Sequence, residues 1–341
     1  MPKKFPEFSE LLLRWYQENG RTLPWRGEKD PYKIWVSEII LQQTRVSQGW
    51  DYYLRFVHTF PDVETLAAAD ERDVLKAWQG LGYYSRARNM HAAAKTIITQ
   101  HNGKFPNTYA ELLKLKGIGE YTAAAIASFA FGEDVPAVDG NVFRVICRIF
   151  GIFDDIALPA TRKTVTAKCS ALMPPRQAAA FNQAMMDFGA TLCTPKNPAC
   201  ESCPCQTFCF AFQHEKTDLL PVKIKKINIR KRYFHYLIYL KNGQTIIQQK
   251  TADDIWKNMF EFPLIENDSS DFSIQNGTKI RTLKHQLTHQ TIFADFHLLK
   301  VKEFPKLTEQ QQIVSLSQLT QFPMSKIVAE MAEALKNHIT E

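Results

Sequence analysis

The sequence predicts two domains of different class: a mostly helical one over residues 1–213 and an α+β one over 233–341, joined by a basic linker at 214–232. Three observations carry that division. Apolar residues recur at three- and four-residue spacing up to about residue 213, and at two-residue spacing in segments beyond 233. A Lys- and Arg-rich run, VKIKKINIRKR at 222–232, separates the two patterns and reads as a solvated connector. Five of the seven cysteines crowd into residues 193–209, at the end of the helical region. With 341 residues, 45% of them hydrophobic, each region can bury its own core, which excludes a disordered chain. The formal net charge of +7 favours a polyanionic partner without proving one.

The elements follow in order. The segment MPKKFPEFSELLLRWYQ lacks a signal-peptide core and predicts an amphipathic helix. Helical spacing then runs through 32–46, 71–81, 85–102, 108–115, 120–132, 141–151 and 176–193. Breaks fall at Asp30-Pro31, at Phe60-Pro61, at 102–106 and at 173–175. The longest small-and-apolar stretch, 121–131, is too short to span a bilayer, so no membrane partner is expected. Beyond the linker, 234–240 and 244–250 flank Asn242-Gly243 and predict a tight hairpin. An alternating run at 291–301 predicts a further strand, and 325–338 a closing amphipathic helix.

Three groups of residues carry chemistry. The cysteines read Cys193-x6-Cys200-x2-Cys203-x5-Cys209, with Pro195, Pro198 and Pro204 stiffening the loop. Four thiolates so close in sequence can enclose one metal centre, either zinc or an iron–sulfur cluster; disulfides in an oxidising compartment are the other reading. Cys205 is a spare that competes with Cys203, while Cys147 and Cys169 read as core residues. Gly117-Ile118-Gly119 lies between two helical segments, within about 111–132. Glycines there permit a tight turn and leave backbone N–H groups bare where a phosphate oxygen is favoured. Glu38 sits among apolar neighbours that raise a carboxyl pKa, whereas Asp139 precedes a helix whose N-terminus favours its ionised form. One protonatable and one ionised carboxyl suit the cleavage of a glycosidic bond through an oxocarbenium-like state.

LPWR (23–26), PYKIWVSEIILQQT (31–44), WQGLGYYSRARNMHAAA (78–94), GIGEYTAAAIASFAF (117–131), VDGNVFRV (138–145) and FNQAMMDFGATLC (181–193) together resemble the MutY-type adenine DNA glycosylases of the endonuclease III, helix-hairpin-helix superfamily. The resemblance implies a [4Fe–4S] cluster on Cys193, Cys200, Cys203 and Cys209. It implies double-stranded DNA as partner, with adenine opposite 8-oxoguanine or guanine as the target of base excision repair. Glu38 would protonate the adenine ring and Asp139 would steady the sugar cation, with Tyr121 and Asn141 completing the site. Gln43 and Tyr83 would wedge into the duplex, Arg26 and Gln183 would contact the extruded base, and Gly117 and Gly119 would dock a phosphate. Bifunctional relatives carry a lysine where this chain has Tyr121, so a monofunctional enzyme is expected.

Segments 255–266 and 285–290 resemble the family's Nudix-like domain, but no carboxylate cluster for Mg²⁺ follows residue 266, so pyrophosphate hydrolysis is not expected. Leu287-Thr288-His289 stands where relatives have Phe-Ser-His to read 8-oxoguanine; the hydroxyl is kept and the stacking ring is lost. The cysteine usage fits a reducing, cytoplasmic compartment, a place on nucleoid DNA follows from the resemblance, and a monomer is the default expectation. The alternative activity is that of an endonuclease III-like or thymine-mismatch glycosylase, the latter being compatible with Tyr121.

Overall fold

The computed structural model describes residues 6–224, 229–267, 272 and 274–337; the first five residues of the predicted amino-terminal helix and 225–228 of the linker lie outside this range. The helices are α1 (Pro6–Asn19), α2 (Pro31–Leu41), α3 (Val46–Thr59), α4 (Val63–Ala68), α5 (Glu71–Ala77), α6 (Ser85–His101), α7 (Tyr109–Leu112), α8 (Glu120–Phe131), α9 (Gly140–Phe150), α10 (Pro159–Leu172), α11 (Ala178–Asp187) and α12 (Phe210–Gln213). The strands are β1 (Arg230–Leu240), β2 (Gln244–Gln249), β3 (Phe260–Glu261), β4 (Leu264–Asn267), β5 (Thr278–Gln286), β6 (Gln290–Lys300) and β7 (Gln311–Ser315), followed by α13 (Lys326–Asn337). The chain divides into two compact units, Met1–Ala68 with Asn89–Lys225, and Ala69–Arg88 with Lys226–Glu341.

In the first unit, sequence signals at helix ends place the helices that matter. Pro31 opens α2 and Asp30 caps it, accepting from the Tyr32 N–H at 2.9 Å. Gly119 caps α8, and Gly132, at φ +71°, ends it in the left-handed conformation that glycine adopts without penalty. Asp139 caps α9. Every residue of α8 from Thr122 to Phe129 is buried, so this helix is a core element apolar on all sides. It packs against α2 and α11, and α11 also packs against α1 and α9.

The helix expected over 32–46 stops at Leu41. Gln43 takes φ +58° in the turn that follows, a conformation no helix tolerates, and α3 starts afresh at Val46. The helix expected before the glycine hairpin is short, Tyr109–Leu112, capped by the Thr108 hydroxyl. The Gly117 to Gly119 turn is where glycine is required: Gly117 has φ +80°, and a Cβ there would lie 2.6 Å from Asn89 Cβ. Between the glycines, Ile118 is buried and anchors the turn to the core.

The second unit carries two sheets, one ordered β4-β1-β6-β5 and the other β3-β2-β7. Asn242 (φ +51°) and Gly243 (φ +70°) form the expected tight turn, closed by hydrogen bonds in both directions between Lys241 and Gln244. The strands do not go on to form a hairpin: β1 pairs with β4 and β6, whereas β2 pairs with β3 and β7. The turn therefore passes the chain from one sheet to the other. The core between includes Phe234, Tyr236, Phe262 and Phe296, with the Tyr236 and Phe296 rings stacked 5.0 Å apart.

Arg232, read as part of a solvated run, is instead the buried end of β1 and pairs with Asp254 and Glu266, each at 2.6 Å. Two carboxylates compensate its desolvation. Residues 69–88, helical in spacing, group with this unit because Lys76 Nζ donates to the Thr320 and Phe322 carbonyls and Arg88 donates to that of Lys257.

The hairpin glycines differ in what a methyl group would meet, and the difference is measurable. Gly117→Ala is expected to cost about 1–3 kcal/mol, seen as a lowered unfolding midpoint. Gly119→Ala, with ordinary φ and open space around its Cβ, is expected to lose only the N-cap preference, about 0.5–1 kcal/mol.

Candidate active site

Four helices of the first unit converge on one cavity of about 1050 Å³. Glu38 reaches it from α2, Tyr121 from the first turn of α8, Asp139 and Asn141 from the start of α9, and Gln183 from α11; Arg26 and Gln43 also line it. Seven residues singled out from the sequence thus meet in one space. Gly119 contributes to its wall as well, whereas Gly117 is turned toward Asn89.

Glu38 is 7% exposed, and the Tyr121 hydroxyl donates to its Oε2 at 2.6 Å. Burial disfavours the carboxylate and pushes its pKa up to about 7, against the hydrogen bond from Tyr121 and the charge of Arg26, which pull it down. The Tyr121 hydroxyl also lies 3.2 Å from Met186 Sδ, so an apolar thioether completes its surroundings.

Asp139 is held differently. Its Oδ1 accepts from the Asn141 and Val142 N–H groups at 2.9 and 2.8 Å, and its Oδ2 from Asn141 Nδ2 at 2.7 Å. Burial moves the group above the ordinary aspartate range, and these three hydrogen bonds, two of them from the helix N-terminus, oppose the rise and favour the ionised form. The two carboxyls are thus held differently: Glu38 by burial with one hydroxyl donor, Asp139 by burial opposed by three donors that favour its ionised form.

Several residues that the sequence did not single out hold this arrangement. Asp187, with no exposed side-chain surface, accepts from Arg21 Nε at 3.0 Å and from Arg26 NH2 at 2.7 Å. Tyr16 donates to Gln183 Oε1 at 2.9 Å, fixing that amide at the cavity wall. Asn182 donates to the Val135 carbonyl and accepts from the Ala137 N–H, steadying the extended segment that delivers Asp139. Arg144 joins Asn141 Oδ1 (2.7 Å) to the Gly189 and Cys193 carbonyls at 2.6 and 2.7 Å. The one available signal was a lone polar or charged residue inside an apolar run, as Asn182 and Asp187 are in FNQAMMDFGATLC.

Cys193, Cys200, Cys203 and Cys209 line a second pocket, together with Cys205. Arg148 NH1 lies 3.4 Å from Cys193 Sγ, and burial pushes the Cys193 thiol up. Cys205 is buried and donates its S–H to Cys203, which holds the Cys203 thiol below its usual range and drives Cys205 up. The two cysteines that compete in the sequence are therefore held differently, Cys203 favoured toward its thiolate and Cys205 against it. Cys147 and Cys169 are core residues.

In the second unit Tyr83 is 48% exposed at φ +48°, so it is not a core aromatic. Like Gln43, it is an exposed side chain on strained, left-handed backbone. Its hydroxyl lies 2.6 Å from Thr288 Oγ1. Leu287, Thr288 and His289 form the turn from β5 to β6, closed by the Leu287 N–H donating to the Gln290 carbonyl; the His289 ring lies 3.0 Å from the Gln290 amide.

Residues 36–175 match the HhH-GPD superfamily base excision DNA repair protein model, and 235–334 the NUDIX domain model. The chain is 37% identical over 297 residues to the adenine DNA glycosylase of Buchnera aphidicola subsp. Baizongia pistaciae, covering 84% of each protein. It is 40% identical over 223 residues to the human adenine DNA glycosylase, covering 62% of this chain and 41% of that one. Among solved structures, a thermostable thymine-DNA glycosylase aligns with a TM-score of 0.58 at 30% identity, over 62% of this chain and 98% of that one. With its helical repair domain, its NUDIX-type second domain and this likeness across most of its length, the chain belongs to the adenine DNA glycosylase family.

Proposed function

We propose that this protein hydrolyses the N-glycosidic bond of adenine mispaired with 8-oxoguanine or guanine in double-stranded DNA, as a monofunctional glycosylase of base excision repair acting as a monomer. The observation that carries this reading is the pairing of Glu38, pushed up to about 7, with Asp139 bound by three donors on the same cavity. In this reading the first unit acts as the glycosylase body and the second, which also takes in 69–88, as the lesion reader.

An adenine rotated out of the duplex enters the cavity, at an unstacking cost of a few kcal/mol. Arg26 and Gln183 contact its edge, and Gln43 and Tyr83 fill the duplex behind it. The strained backbone under both wedge residues supports that role, because left-handed side chains persist where the surrounding structure enforces them. Glu38 gives its proton to the purine ring, and the glycosidic electron pair leaves with the neutral base. Asp139 stabilises the positive charge that develops on the sugar, with Asn141 holding its orientation. Water adds at the anomeric carbon, and the proton it releases restores the acid form of Glu38. No lysine occupies position 121, so no Schiff base forms there and the product is an abasic site.

The donor set of the cysteine pocket supports a [4Fe–4S] cluster on Cys193, Cys200, Cys203 and Cys209. One zinc ion at about 2.3 Å from each sulfur would draw the sulfurs to about 3.8 Å of one another. Among the described residues no three cysteine sulfurs fall within 4.8 Å of one another. Arg144 and Arg148 beside Cys193 suit an anionic cluster. When bound, such a cluster shapes the loop for DNA docking and supplies no step of the hydrolysis. Across the duplex, Thr288 and His289 read the oxidised guanine, with Leu287 in place of a stacking ring, and the backbone N–H groups at Gly117 and Gly119 hold a phosphate.

Four outcomes test this reading. The protein should release free adenine from duplexes with adenine opposite 8-oxoguanine and leave an alkali-labile site. Glu38→Gln should lower single-turnover release by about 10²- to 10⁴-fold. Release of thymine from a G·T duplex, without adenine release, would instead favour the activity named for the solved structural neighbour. The rate should fall as pH rises through about 7, where Glu38 ionises, and fall again in acid as Asp139 protonates.

The same titration acts on stability. Glu38 has its folded pKa raised from 4.5, so its contribution is complete below about 4.5 and lost as pH rises through about 7. Glu38→Gln should therefore raise the unfolding midpoint relative to wild type at about pH 8 but not at about pH 4.5, measured in thermal scans. For the cysteine pocket, Cys203→Ser should lose iron and visible absorbance, whereas Cys205→Ala should retain most of both.

A further inference from the structure

Away from the cavity, the second unit buries a cluster that none of the foregoing chemistry uses. Strands β1 and β6 run parallel with His235 opposite Asp295, and His297 lies two residues further along β6. Two-residue periodicity puts all three side chains on one face of the sheet. They are 1%, 7% and 3% exposed, and their donor atoms all lie within 4.8 Å of one another.

The hydrogen bonding of this cluster is incomplete in an informative way. Neither ring nitrogen of His235 has a hydrogen-bond partner among the described residues, and neither does His297 Nε2. Buried polar groups left in that state are rare because their lost hydration is not replaced. Asp295, in contrast, is oriented: Oδ1 accepts from Thr282 Oγ1 at 2.5 Å. Its other oxygen, Oδ2, lies 3.8 Å from His235 Nδ1 and 3.5 Å from Lys279 Nζ. Phe272 packs its ring 4.5 Å from that of His235 and 6.2 Å from that of His297, which shields the imidazoles from water.

We infer that His235, Asp295 and His297 form a binding site for a divalent transition-metal ion of the zinc type, separate from the cysteine pocket. Two imidazoles and one carboxylate are the donors such an ion prefers, whereas Mg²⁺ and Ca²⁺ take oxygen donors. Zinc bonds of about 2.0–2.2 Å bring donors to within about 3.5 Å, so the side chains close by about an ångström on binding. Thr282 supplies the outer hydrogen bond that fixes a ligating carboxylate. The ion ties β1 to β6, the strand that emerges directly from the turn holding Leu287, Thr288 and His289. Its role is to brace the base of that turn.

The test is metal analysis of the full-length protein, purified without a metal-affinity tag or chelator, with iron and zinc measured in the same sample. The site predicts about one equivalent of zinc per chain beside the iron, lost in His297→Gln while iron is unchanged. Cobalt added after zinc removal should give visible d–d bands without a thiolate charge-transfer band. A second variant guards against simple misfolding. If the imidazoles are merely unpaired, His235→Leu should raise the unfolding midpoint in zinc-containing buffer; if His235 is a ligand, the midpoint should fall and become independent of added zinc. Absence of zinc, zinc retained by His297→Gln, or a stabilised His235→Leu would each overturn the assignment.

Discussion

Burial of a single carboxyl group, Glu38, is the constraint around which the helical unit is arranged. Its helix is apolar on nearly every side, so the side chain loses water without gaining a cation in direct contact. The compensation is one hydroxyl, that of Tyr121, which donates to the carboxyl. A lysine at that position would hold the carboxylate ionised and remove the acid. Under the proposed mechanism, the residue that denies the site a Schiff-base amine is therefore also the residue that leaves Glu38 protonatable.

The counterpart is Asp139, where the backbone itself does the holding. A helix N-terminus offers unpaired N–H groups wherever one starts, and α9 points two of them at this carboxyl. Position is then enforced from behind. Asn182 ties down the segment before Asp139, and Arg144 ties Asn141 to the carbonyls of Gly189 and Cys193. Gly189 is part of this fit, since a Cβ there would meet Asn141 Cβ at 2.6 Å. Through Arg144 the cysteine loop and the acid–anion pair share one hydrogen-bonded framework. A cluster in that loop can thus matter to the site without touching the reacting bond.

Local chemistry made much of this legible in the sequence. Asp30-Pro31, Asp139-Gly140 and Gly117-Ile118-Gly119 announce helix ends and a turn because caps and positive φ angles depend on a few adjacent residues. Glu38 was legible because its apolar neighbours follow it directly. What escaped was set by contacts distant in sequence. Asp187 meets Arg26 across 161 positions, and nothing near either residue signals the pair. Asn242-Gly243 specified its turn correctly but not the fate of the strands, which depends on sheet partners elsewhere. Arg232 looked solvated because its two carboxylates lie 22 and 34 residues away. The burial that opposes ionisation of Asp139 was not legible, because a helix terminus is visible in sequence and depth of burial is not.

The account rests on Glu38 being a neutral acid at the pH where the protein works, and infrared difference spectroscopy reads that property directly. Spectra of wild-type protein minus Glu38→Gln, recorded across a pH series, isolate the carbonyl stretch of the Glu38 carboxyl. The account predicts that this band persists to near neutrality and titrates away around 7. A band that disappears near the ordinary value of 4.5 would show a solvated carboxylate and contradict it.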